Sequence, residues 1–213
     1  MTEKSTRSLL RALSVACLIG GILWALSPLG VHLSEVKFKS PNFFWKLFPS
    51  APLMLAVGLI GLHSWQRNRT GWTERFAFLF TLFGLLLVIA GDVMLFWLKL
   101  DEVYLTAAPG YRTFRVGLFA LAAGAILFGL ASAPARALPL WGTLPLTIGA
   151  WAGLIAFSEN LGGLGAALWI LFGVGWAWMG FAALWEMAAG LWRRKNGKEG
   201  SRRAAPSPGG EPL

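Results

Sequence analysis

Cysteine occurs once in 213 residues, at Cys17, and histidine twice, at His32 and His63. A single thiol excludes an intrachain disulfide and a thiolate metal cluster. It also fails as a lipoprotein cleavage box, because Ser14-Val15-Ala16-Cys17 follows the basic Arg11 too closely and the apolar run continues past it. Cys17 therefore reads as a small apolar core residue. The two histidines lie near the ends of separate apolar runs and on opposite sides of the expected topology, which excludes bis-histidine haem ligation. Charge is scarce as well. Charged residues make up 14% of the chain, against about 25% in an ordinary soluble domain, so a water-soluble reading fails. There is no Ser, His, Asp set at a strained elbow, no phosphate loop and no cluster of metal ligands. Nothing in the sequence points to catalysis, a cofactor or a metal.

Apolar residues fill that space. The chain is 56% hydrophobic, with 12 Trp, 15 Phe and 26 Gly, a mixture that suits lipid-embedded helices, where Trp favours the interfaces and Gly is more frequent than in soluble helices. The apolar runs predict an all-α, polytopic bundle of six transmembrane helices at about 8–29, 50–65, 76–98, 113–133, 138–157 and 164–192. The first run has the basic start of a signal peptide, and Ala25-Leu26-Ser27 resembles a cleavage site. Pro28 directly after it disfavours cleavage, so the run reads as an uncleaved span. Between spans one and two, Phe43, Phe44, Leu47 and Phe48 fall on one side of a helical turn with Trp45 and Lys46 at the flank. Residues 36–48 accordingly read as an amphipathic segment on the membrane surface.

The net charge of +9 is distributed as a topology signal rather than as a nucleic-acid surface. Of the 19 Lys and Arg residues, 13 fall in the N-terminal segment, the second and fourth connectors and the tail. Six spans with that bias place both termini in the cytoplasm, in a bacterial plasma (inner) membrane. Residues 193–213 are basic and then rich in Pro, Gly and Ala, which reads as a disordered cytoplasmic tail suited to anionic lipid.

The run Phe76 to Leu98 carries one acid, Asp92. On a helical wheel Thr81, Gly84, Val88, Gly91, Asp92 and Leu95 share an arc of about 100°. A stripe of small and polar residues marks the face that packs on other helices, so Asp92 points into the bundle, about 10 Å below Lys99. An ionisable group in a membrane is a site by default, and the plainer alternative is a structural ion pair or a carboxyl kept neutral by burial. Arg115 is the expected partner, Arg112 the second choice, and Trp97 closes the candidate ligand site. Glu186 repeats the pattern on span six near the cytoplasmic side, within reach of Arg11 or His63. Trp178, Trp185 and Trp192 flank its stripe on one side and Trp169 and Trp176 on the other, a cleft suited either to a flat or isoprenoid ligand or to plain helix packing. Asp92 and Glu186 lie at different depths and form no carboxylate dyad.

The small-residue pairs Ala120/Gly124, Ala125/Gly129, Gly149/Gly153 and Gly173/Ala177 allow close helix contact, within the chain or in a homo- or hetero-oligomer. The layout of six spans in about 200 residues with both ends inside is similar to that of the membrane-embedded substrate-binding subunits of vitamin transporters. Ala12/Ala16 resembles the small-residue pair by which those subunits dock on their coupling subunit, whereas the glycine-proline patterning of their first loops is absent. The expected function is that of a non-enzymatic membrane protein that binds or transports a small lipophilic or amphipathic solute around Asp92, Arg115 and Trp97, with Glu186, Trp178 and Trp185 as a second candidate surface. The alternative is an accessory or structural subunit of a larger membrane complex.

Overall fold

The computed structural model describes residues 3–33, 42–66, 71–98, 109–132, 140–158 and 163–204. All regular structure among them is helical: α1 Glu3–Leu33, α2 Asn42–Leu47, α3 Ser50–Gln66, α4 Trp72–Asp92 running on into a π-helical turn Val93–Trp97, α5 Pro109–Ser132, α6 Leu140–Ser158 and α7 Gly163–Ala204. Five segments are long and apolar enough to cross a membrane: Ser8–Val31, Phe44–Gln66, Trp72–Trp97, Pro109–Ser132 and Leu164–Ala189. The apolar part of α6, Leu140–Ala156, is shorter. Leu79, Phe83 and Leu86 on α4 and Ile148 and Trp151 on α6 are exposed, so the outer surface is as apolar as the core. This is a helical bundle of the kind integral membrane proteins form.

Glycines set how the helices meet. On α4 and α5, the most extensive pairing, a Cβ on Gly84 would strike the Leu121 backbone, one on Gly91 the Phe114 backbone, one on Gly117 the Val88 backbone and one on Gly124 the Thr81 backbone. As the numbers rise on one helix they fall on the other, so the pair is antiparallel and each helix presents glycine to the other's main chain. Backbones can approach this closely only where side chains are missing. The same reciprocal register runs between α1 and α7, where Gly21 meets Ala177, Gly173 meets Ala25 and Gly180 meets Leu18. It recurs between α1 and α3 through Gly58 on Cys17 and Gly20 on Leu55, and between α6 and α7 through Gly149 on Leu171 and Gly175 on Pro145. Gly124, Gly129, Gly149, Gly173 and Ala177 of the small-residue pairs read from the sequence thus meet helices of this chain. Ala16 is buried and Ala12 exposed.

Long helices α1, α3, α4, α5, α6 and α7 pack in chain order, and α7 returns to α1, closing a ring. Its interior is aromatic and aliphatic. Trp24, Phe128, Phe172, Trp176, Leu55 and Leu62 are fully buried there, and the Cys17 thiol packs on the Trp176 carbonyl at 3.5 Å.

Two prolines inside helices explain two tryptophans. Proline has no amide hydrogen and leaves the carbonyl four residues earlier without its helical partner. Pro28 frees the Trp24 carbonyl, which accepts a bond from the Ser27 hydroxyl at 2.7 Å; the Trp169 indole then donates to Ser27 at 2.6 Å. Pro145 frees the Trp141 carbonyl, and the Trp178 indole donates to it at 2.8 Å.

The structure differs from the sequence reading in three places. α4 begins at Trp72 rather than Phe76 and so takes in Glu74, which the sequence places in a polar connector. In α2 Trp45 turns toward the bundle while Leu47 is exposed, because Trp45 finds a stacking partner in Phe96 that an isolated surface helix would lack. α7 continues as helix to Ala204, through residues expected to be disordered; Lys, Arg and Glu there are strong helix formers. Residues 36–41 of the amphipathic segment, Lys99 and residues 205–213 lie outside the described residues.

Candidate functional site

α4 carries two buried acids. Glu74 is 1% exposed and Asp92 is fully buried. Eighteen residues are five turns at 3.6 residues per turn, so the two project from the same side of the helix, about 27 Å apart along its axis. Phe78, on that side, stacks on His63 of α3 at 4.1 Å, which places the line toward α3 and the ring interior.

The two acids are treated differently. Glu74 Oε1 lies 2.9 Å from His63 Nδ1, a buried carboxylate with an imidazole partner. Beside it in the chain, Gln66 at the end of α3 is fully buried and accepts a bond from Ser132 of α5 at 2.9 Å. The sequence offered no signal for this cluster, because an acid in the first turn of a helix is ordinary. Asp92 is the opposite case. Among the described residues neither of its carboxylate oxygens has a hydrogen-bond partner. Arg115, expected beside it, does not reach it: the guanidinium lies over the rings of Tyr111 and Phe119, at 5.9 and 5.8 Å, and the side chain is exposed. A helical residue covers neighbours three and four positions away on its own face, and Arg115 is held there instead of crossing to α4. Arg112 is exposed also.

The residues next to Asp92 along α4 meet an aromatic cluster. The π-helical turn starts at the next residue and brings Phe96 onto Trp45 of α2, stacked at 5.3 Å with planes 6° apart. Gly91 lets the Phe114 backbone come close, and the Phe114 ring meets Trp45 and Phe48 edge-on at 6.5 and 6.3 Å. Phe48 also touches Trp24 and Trp169, at 5.1 and 6.0 Å. Trp97 donates to the Lys46 carbonyl at 3.2 Å and is largely exposed; it ties α2 to the end of α4 from outside. α2 thus roofs the Asp92 end of the ring. The Trp24 and Trp176 indole nitrogens are further buried polar atoms without a partner among the described residues.

The remaining sequence candidates do not join this group. Glu186 is half-buried, and the α1–α7 register puts it level with Ala12, at the Glu74 end. His63 is engaged with Glu74. Trp178 and Trp185 are exposed on the outer face, whereas Trp169 and Trp176 point inward, so the four do not flank one cleft. Trp178 instead lines an outward-opening apolar groove of about 330 Å³ between α1 and α7, with Ile22, Leu26 and Phe181. Among the described residues no three His, Cys, Asp or Glu side chains come together as a metal site.

In comparisons with known proteins the chain matches no family model, no curated protein and no solved structure.

Proposed function

We propose that this chain is a non-enzymatic multi-pass membrane protein that binds or transports a small amphipathic solute at the Asp92 end of its helical ring. The observation that carries the reading is the Asp92 carboxylate, fully buried and with neither oxygen bonded to a described residue. Buried polar groups are nearly always hydrogen-bonded, and an unpaired one asks for an explanation; within a membrane span an ionisable group is a functional site by default. A π-helical turn follows directly, a distortion frequent at functional sites, and α2 covers the position with aromatic rings. Six crossings with cytoplasmic ends are supported by the antiparallel pairing of α1 with α7 and by the concentration of Lys and Arg at the chain ends and the second and fourth connectors. A bacterial inner membrane is part of the same proposal. The reading as a complex subunit has less support, since the small-residue faces that suggested it meet helices of this chain.

Native mass spectrometry of the detergent-extracted protein tests the proposal. The wild type is expected to carry a small-molecule adduct that Asp92→Asn loses while its helical content and melting remain unchanged. Equal adduct occupancy in the two proteins would remove Asp92 as the site, and a stoichiometric second chain in the spectrum would favour the subunit reading.

A further inference from the structure

We propose that the solute held at Asp92 is a hydrophobic organic cation, an ammonium or phosphonium centre carried on apolar arms; the proposal rests on the solute-binding reading above and names its substrate class. An ionised carboxylate offers about four acceptor positions, and here no described residue uses one. Among the described residues the protein supplies no counter-ion to it. On α5 the Arg115 guanidinium lies over Tyr111 and Phe119, and Arg112, and Lys46 of α2, are exposed. The Glu74 end of the same helix shows the contrast, since there the chain provides His63. Two acids lie on one line of one helix, one partnered within the described chain and one not, and Asp92 is therefore the position open to a partner from outside.

The surroundings select the kind of partner. Phe96 lies one turn beyond Asp92 and Phe114 packs against the adjacent Gly91, and these two join Trp45 and Phe48 in one aromatic cluster with rings both stacked and edge-on. Aromatic faces attract a cation within about 6 Å of the ring centre, the more strongly where water is excluded. A compact, strongly hydrated inorganic ion would need several oxygen ligands, whereas the described residues offer one carboxylate. A neutral amphiphile would use neither the charge nor the ring quadrupoles. A cation whose charge is spread over an apolar body uses both and loses little hydration on entry.

Tetraphenylphosphonium is the probe, titrated calorimetrically into the full chain in detergent micelles, with protein-free micelles subtracted. The expected result is saturable one-to-one binding to the wild type, weakened about a hundredfold or more in Asp92→Asn, since a charge pair at about 4 Å is worth that much at the effective dielectric of a protein. Glu74→Gln, which removes a negative charge at the far end, is expected to change the affinity less than about threefold. Tetraphenylborate, of the same shape and opposite charge, is expected to bind the wild type at least tenfold more weakly; this arm needs no variant and stands if Asp92→Asn fails to fold. Tetraphenylborate binding as tightly as the cation, or cation binding indifferent to Asp92→Asn, overturns the proposal. If native mass spectrometry then still shows an Asp92-dependent neutral adduct, the solute reading survives and only the cation class falls; if no adduct depends on Asp92, both fall.

Discussion

Replacing Gly84 by alanine tests the helix register on which everything above depends. A methyl built on Gly84 overlaps the Leu121 backbone nitrogen and lies 2.7 Å from the Leu121 Cα and 2.9 Å from the Ala120 carbonyl carbon, where ordinary contact begins at 3.4 Å. The obstacle is main chain, so no rotamer change relieves it. α4 and α5 must part by about 0.7 Å or more, and a gap of that size already forfeits a quarter to a half of each dispersion contact it opens. Overpacking of this kind costs about 1–3 kcal/mol, offset by up to about 1 kcal/mol because alanine is the better helix former. The expected net loss is about 1–2 kcal/mol, read as an earlier midpoint in denaturation by a harsh detergent followed by tryptophan fluorescence. Trimming Leu121 to alanine is expected not to rescue it. Gly30→Ala is the counter-case, since the atoms nearest its added methyl all belong to the Phe44 ring, and Phe44→Ala is expected to remove that conflict. Gly71→Ala, with nothing within 4 Å, serves as the blank. A Gly84→Ala protein as stable as the wild type, beside a neutral Gly71→Ala, would mean that α4 and α5 do not meet in this register.

The Glu74–His63 pair is expected to show strong coupling: His63→Phe, which takes the imidazole from the buried Glu74 carboxylate, is predicted to destabilise by about 3 kcal/mol, Glu74→Leu by less because His63 keeps some exposure, and the double replacement by less than their sum. Additive losses in the same denaturation assay would deny the pair. Trp178→Phe is expected to cost about 1 kcal/mol by leaving the Trp141 carbonyl without its donor, and Pro145→Ala, which restores the helical amide, is expected to make that replacement nearly neutral; an undiminished loss in the double variant would refute the link between the proline and the indole.

How much of the site was legible depended on the range of the interactions involved. The face of Asp92 could be read from a local period, and Thr81, Gly84, Val88, Gly91 and Asp92 are all buried. Its partner could not. Whether a guanidinium crosses to a neighbouring helix or lies on its own is decided by a few tenths of a kcal/mol among contacts, and Arg115 lies over Tyr111 and Phe119. Trp178 and Trp185 share their residue type with Trp169 and Trp176, yet one pair is outside and the other inside. In lipid both faces of a helix are apolar, so hydrophobic periodicity no longer separates them. Glu74 was hidden by its setting, a polar stretch at a helix start where an exposed acid is the normal occupant.

Composition and the length of the apolar runs determined by themselves that the chain forms apolar helices and that one of them carries a buried acid, because hydrophobic length and the cost of a charge away from water are properties of each segment alone. Only the tertiary structure decided what that acid faces. The glycines of α4 and α5 bring two backbones together, α2 folds its aromatic side over the end, and the basic residue expected to cross from α5 stays on its own helix. The result is that Asp92 is set among rings with no partner in the described chain, while Glu74, five turns away on the same line, is bonded to His63.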